Sequence, residues 1–310
     1  MAGFFIVLLI NGCSSQPKLP DSLLPLVELT QTPFFPQEEH QCGPAALATV
    51  LNYRDINVTP DELVPQVFLP GRKGSLQIEL AATSRRYGML AYPLSTELSD
   101  LLAEVAAGNP VLVLQNLALD WLPQWHYAVV VGYNLEQNEV ILRSGRHRRW
   151  LSKLSAFNNT WRRAGNWALV ILPPDEIPQT AQSDTFLKSA FDLEAKEKQQ
   201  EALSAYRAAS VRWPDEQRTW LALGNGAFKL NRLDEAQTAL KQAVYLDPSD
   251  AIVLNNLAYV YLAAGCAEQA KTSIRKALHL KPEDKNLQDS KQEIDSKSSL
   301  IIKDGCRISH

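Results

Sequence analysis

Charge of one sign, long apolar runs and metal-ligand spacings are all scarce in this sequence. The 310 residues carry a formal net charge of −3, which argues against a general nucleic-acid binder. No interior apolar run approaches the roughly 20 residues that a membrane-spanning helix needs. Four cysteines and five histidines are scattered without C-x-x-C or H-E-x-x-H spacing, so neither a metal ion nor another cofactor is expected. What the chain does have is length enough for two domains and a hydrophobic content of 45%, which supports substantial cores.

The stretch around which the first half is organised spans residues 37–51, Gln-Glu-Glu-His-Gln-Cys-Gly-Pro followed by Ala-Ala-Leu-Ala-Thr-Val-Leu. A polar loop runs through Cys42 straight into a small-residue helix. Gly43 allows a tight turn, and Pro44 is tolerated in a first helical turn, where its missing N–H leaves nothing unpaired. A thiol at the positive end of a helix dipole is favoured as thiolate, the nucleophilic form. A lone cysteine in an arbitrary sequence is more often a buried core residue. The Cys-Gly-Pro turn and a second signal reverse that weighting. The second signal is residues 125–133, Trp-His-Tyr-Ala-Val-Val-Val-Gly-Tyr, which put His126 at the head of a strand.

Together, in this order, the two segments resemble papain-like cysteine peptidases of the bacteriocin-processing, C39 type, over residues 29–174. The resemblance implies Cys42 as nucleophile and His126 as the base that takes its proton. It also implies an upstream glutamine that helps hold the oxyanion. Gln37 is the nearest match, one residue closer to the cysteine than is usual, with Gln41 as the alternative. The implied fold is α+β: helices first, then an antiparallel sheet carrying the histidine. The pattern agrees. Thr59-Pro60 reads as a helix start, Ser75 as the cap of a helix through Arg86, and residues 98–107 as a further helix. Strands are expected over 111–114, 127–131, 140–142 and 167–171.

The family normally places an aspartate after the strand that follows the histidine strand. Arg143-Ser144-Gly145 stands there instead. Ser144 can accept a hydrogen bond from the imidazole but cannot stabilise its positive charge as a carboxylate does. Asn134, Glu136 and Asp120 are alternatives from nearby loops, and a Cys–His dyad is another. The run 143–149 reads either as a basic lip steering an anionic partner toward the cleft or as a solvated hairpin. His147 within it is the rival to His126, and His40 reads as a loop residue.

The N-terminus resembles the end of a bacterial lipoprotein signal: an apolar run over residues 4–10, then Asn-Gly-Cys-Ser-Ser. The expectation is a signal over 1–13, lipidation of Cys13, and a Pro-punctuated tether over 14–33. Ser14 after the cysteine suggests an outer-membrane lipoprotein facing the periplasm, held to the membrane by the lipid anchor only. With Cys13 and Cys42 assigned, Cys266 and Cys306 remain, and an oxidising compartment would allow them to pair.

The peptidase-like domain is expected over 34–174 and a Pro- and Gln-containing linker over 175–182. Beyond it the sequence repeats itself with a period of about 34 residues. Trp220, Leu223, Gly224, Ala227, Ala236, Leu240, Ala243 and Pro248 recur as Leu254, Leu257, Ala258, Tyr261, Ala270, Ile274, Ala277 and Pro282. One period earlier stand Phe186, Ser189, Ala190, Leu193, Ala202, Tyr206, Ala209 and Pro214. Large residues face small ones where two antiparallel helices pack closely. This pattern resembles tetratricopeptide (TPR) repeats, three of them over 183–284, followed by a capping helix and tail over 285–310. The resemblance implies an all-α solenoid whose concave face, with Asn225, Lys229 and Asn256, binds a peptide or protein partner.

Three functions are compatible with these residues: a peptidase acting on a peptide or protein substrate recruited by the repeats, a retired peptidase fold used as an assembly scaffold, and acyl transfer on a non-peptide substrate.

Overall fold

The structure is a computed structural model and describes residues 20, 23–37, 41–72, 74–299 and 306. Cys13, the proposed signal and His40 lie outside the described residues. The first domain begins with β1 (Leu26–Glu28), then α1 (Cys42–Tyr53), α2 (Pro60–Val67), β2 (Phe68–Leu69), β3 (Gly74–Ser75) and α3 (Gln77–Arg86). It continues with β4 (Leu90–Pro93), α4 (Leu98–Ala106), β5 (Val111–Asn116), β6 (Trp125–Asn134), β7 (Glu139–Ser144), β8 (His147–Lys153), α5 (Leu154–Arg162) and β9 (Ala168–Leu172).

The sheet runs β4-β9-β5-β6-β7-β8, antiparallel throughout, with β1 added beside β6. The side-chain period of two separates its faces. Tyr127, Val129 and Val131 enter the core shared with α1, while Ala128 and Val130 enter a second core with Leu101, Leu102, Phe157 and Trp161. Helix α1 is buried along its length from Gly43 to Leu51, as its run of small and aliphatic residues requires. Helix α2 starts with a complete capping box between Thr59 and Glu62, with Pro60 in the first turn.

Several expectations change. Residues 26–33, expected within the tether, are part of the domain: Leu26–Glu28 form a strand, and buried Thr32 accepts two hydrogen bonds from Arg143 through its carbonyl. The pairing depends on Gly132, where a Cβ would stand 2.4 Å from the Val27 carbonyl oxygen. Ser75 does not cap α3. It ends the β2–β3 hairpin, and Leu76 takes the cap position without a side-chain bond. The run 143–149, left open between a basic lip and a solvated hairpin, spans the turn of the β7–β8 hairpin, whose exposed second strand β8 forms the sheet edge and leads into α5.

The second domain consists of α6 (Ser183–Glu194), α7 (Gln199–Arg212), α8 (Gln217–Lys229), α9 (Leu233–Leu246), α10 (Ala251–Ala263), α11 (Ala267–Leu280) and α12 (Lys285–Ser298). The alanines of the repeat pattern, among them Ala190, Ala202, Ala227, Ala236, Ala258 and Ala270, are buried in one core. A disulfide joins Cys266 to Cys306, with a Cα–Cα distance of 4.4 Å.

The linker is docked rather than loose. Buried Glu104 accepts hydrogen bonds from Thr180 N, Thr180 Oγ1 and Asn109 Nδ2, each 2.7 Å long. The backbone N–H of Gln182 donates to Tyr92 Oη at 3.0 Å. Strand β4 is shared: Ala91 packs toward α1, whereas Leu90 and Tyr92 join the repeat core with Phe186, Ala190 and Leu193. The first repeat thus covers a sheet edge that would otherwise be open.

Candidate active site

Cys42 opens α1, half-buried, and its thiol accepts backbone N–H donation from Tyr127, from Gly43 and from its own amide. The close approach of Gly43 to the β2–β3 hairpin explains the Cys-Gly-Pro turn. A Cβ on Gly43 would lie 2.4 Å from Ser75 Oγ and 3.6 Å from Tyr127 Cδ2. Ser75 also holds the site through its carbonyl, which accepts the Tyr127 hydroxyl at 3.2 Å. That contact was not legible in the sequence, because a contact between residues 52 apart leaves no periodic mark.

His126 lies one residue from the thiol's anchor point on β6. Its Nε2 is 2.8 Å from Ser144 Oγ. Serine therefore occupies the position where the sequence resemblance implies a carboxylate. With the proton on Nε2 and donated to Ser144, Nδ1 keeps its lone pair and is the nitrogen available as a base. Among the described residues the thiol is bonded to backbone N–H groups and the imidazole to Ser144. The two groups flank the His126–Tyr127 peptide without being bonded to each other, as is common before substrate binds.

Gln37 completes the cluster. Its backbone N–H donates to Gly145 O at 2.9 Å and its side-chain amide donates to Tyr127 O at 3.3 Å. One residue of β6, Tyr127, thereby bonds the thiol through its N–H and the glutamine through its carbonyl. Gln41 precedes α1 and makes no side-chain capping bond.

The remaining candidates are placed elsewhere. Asn134 and Glu136 lie at the far end of β6, where Asn134 Oδ1 accepts from Gln137 N. Asp120 is exposed in the β5–β6 loop. His147 is exposed with its ring 4.9 Å from Trp150. Arg143 is no part of a basic lip: it is 4% exposed and donates to Thr32 O and Arg148 O. Arg149, itself exposed, forms an ion pair with Glu28 at 3.0 Å, and Arg146 and Arg148 are exposed beside it.

Burial governs the titration of both reactive groups. Loss of water pushes the Cys42 thiol up, against the smaller opposing pull of the three backbone N–H groups. It pushes the His126 imidazole down. Both shifts favour uncharged forms. At Cys42, burial therefore opposes the pull toward thiolate expected at the head of a helix.

In the repeat half, Asn225, Lys229 and Asn256 all line a groove of about 450 Å³, with Phe191, Leu221 and Tyr259 supplying apolar walls. Asn256 Nδ2 donates to Asn225 Oδ1 at 3.0 Å, and Lys229 pairs with Glu194.

Fold and cluster together define a thiol–imidazole domain carried on a helical-repeat array. Residues 29–169 match the Peptidase_C39 like family, residues 224–265 match a TPR repeat family, and residues 251–284 match a tetratricopeptide repeat family. The chain joins a C39-like peptidase domain to a TPR solenoid. Among solved structures, a Bacillus anthracis protein assigned as a C39-like peptidase is 19% identical, with 50% of this chain and 99% of that one covered and a TM-score of 0.41. The first TPR domain of human RPAP3 is 17% identical over 38% of this chain and 93% of its own, with a TM-score of 0.36. A Thermobaculum terrenum O-GlcNAc transferase mutant is 24% identical over 37% of this chain and 23% of its own, with a TM-score of 0.34. No curated protein matches the chain.

Proposed function

We propose that this chain is an exported, lipid-anchored cysteine peptidase whose repeats recruit the substrate or a partner protein. The observation that carries the reading is the convergence of Gln37 and Cys42 on the backbone of Tyr127, next in the chain to His126, whose imidazole is held by Ser144. In the proposed reaction the thiol sulfur adds to a peptide carbonyl carbon while its proton passes to His126 Nδ1. The oxyanion is held by backbone N–H groups at the head of α1 and by the Gln37 amide, released from Tyr127 O. Collapse expels the amine, which takes the proton back from His126, and water then hydrolyses the thioester.

Because burial favours the uncharged form of both groups, proton transfer is expected to accompany attack rather than precede it. Ser144 orients the ring but offers no compensating charge. This makes a slow enzyme the expected one. The same serine favours a second reading, an inactive C39-like scaffold for envelope assembly.

Export rests on the Asn-Gly-Cys13-Ser pattern, with the lipid on Cys13 and an outer-membrane position facing the periplasm. The Cys266–Cys306 disulfide supports it, because such bonds persist in oxidising compartments. The groove beside Asn225, Lys229 and Asn256 suits an extended peptide with apolar side chains and exposed backbone amides.

The test is to incubate the full chain with denatured envelope proteins and map newly formed N-termini by mass spectrometry. Termini seen with wild type and missing with Cys42→Ala and with His126→Ala are the expected result. Identical termini in all three samples would reject the peptidase and leave the scaffold.

A further inference from the structure

The loop between β5 and β6 exposes five large apolar side chains within nine residues: Leu117, Leu119, Trp121, Leu122 and, at the head of β6, Trp125. Trp121 is 79% exposed. Single exposed apolar residues are ordinary, whereas a contiguous patch marks a surface that binds something.

The loop's backbone is held firmly. Leu117 N donates to Gln124 O at 2.9 Å and Leu122 N to Leu119 O at 3.1 Å. At its base Asn116, 1% exposed, accepts from Ala118 N and Gln124 N and donates to Leu119 O. Arg163 donates to the Asn116 carbonyl at 3.0 Å from Nη2. A buried polar residue thus satisfies the loop from beneath, while the side chains above it face water. Such a surface loses little entropy on binding.

Its position supplies the occupant. The last ladder pair of β5 and β6 is Asn116 with Trp125, and the next residue of β6 is His126. A polypeptide laid across Cys42 and His126 passes beside this loop. A lipid surface fits less well, because Asp120 sits at the tip between Leu119 and Trp121, where a carboxylate would be pressed into headgroups.

We infer that this loop is a specificity lip that selects polypeptides with large apolar side chains next to the cleaved bond. The inference rests on the peptidase reading and specifies its substrate class.

Two peptidyl acyloxymethyl ketones of equal length test it, one with leucine and phenylalanine and one with serine and asparagine. The Cys42 sulfur bonds to the ketone methylene as the carboxylate leaves. Labelling is measured by mass spectrometry in the full chain, and each rate is divided by that of iodoacetamide in the same protein. The expected result is at least about a tenfold preference for the apolar probe, lost in Leu119→Ser/Trp121→Ser/Leu122→Ser. If the triple variant fails to fold, Trp121→Ser alone carries the comparison. Equal labelling by both probes, or a preference unchanged in the variant, overturns the lip while leaving the peptidase standing. Sedimentation with phosphatidylglycerol vesicles that depends on the lip, without a probe preference, assigns it to a membrane and also overturns the inference. No reaction of Cys42 with either ketone removes the peptidase reading and the lip together.

Discussion

A thiol and an imidazole that lose water together are each pushed toward the uncharged form, and Cys42 and His126 show both shifts. The sign for pH follows. His126 stays a competent base down to below its ordinary value, while direct thiolate chemistry at Cys42 is delayed to above the ordinary thiol range. Ser144, 2.8 Å from His126 Nε2, is the place where a charge would change this balance. Ser144→Asp is expected to raise the His126 pKa, lower that of Cys42 and increase acylation at neutral pH by about tenfold or more. Iodoacetamide labelling of Cys42 against pH checks this: the variant's rise should begin at lower pH than wild type's. The residues of this site were largely readable. Cys42, His126 and Gln37 come from two short motifs, whereas the resemblance only put Ser144 where an aspartate is usual and left Asn134, Glu136 and Asp120 open beside it. Ser75 and the Tyr127 backbone were not readable, since their roles arise from a hairpin packing against Gly43.

Among the elements, legibility followed periodicity. The repeat helices were readable because small residues recur where helices must approach, and α1 and β6 because apolar runs of the right length flank the motifs. Strand β8 was not, because all but one of its residues are exposed and its pattern carries no buried face. Strand β1 was not, because only three residues pair and Pro25 sits directly before them. The Cys266–Cys306 bond fastens residue 306 to the last repeat. In the loop-closure account a span of 40 residues contributes up to about 4 kcal/mol. Cys306→Ser should lower the urea midpoint of the repeat half, and reductant should do the same to wild type. An unchanged midpoint in both would count against the bond.

At the scale of the molecule, the two domains share β4. Leu90 and Tyr92 belong to the repeat core, and Glu104 and Tyr92 hold the linker. Residues 20–182 alone would uncover that edge and its two large side chains. Such a fragment should self-associate and melt at lower temperature than the full chain, by light scattering and calorimetry. A monomeric fragment of unchanged melting temperature would show that the repeats are an appendage.

The central claim is that His126 serves Cys42, and acylation by p-nitrophenyl acetate tests it most directly. The sulfur attacks the ester carbonyl, its proton goes to the imidazole, and nitrophenolate leaves and is read by its colour. Across pH, wild type should exceed His126→Ala by about a hundredfold near neutrality. Its low-pH limb should lie below the ordinary histidine value, and the variant should react only as the raised thiol ionises. Superimposed profiles for the two proteins would contradict the account.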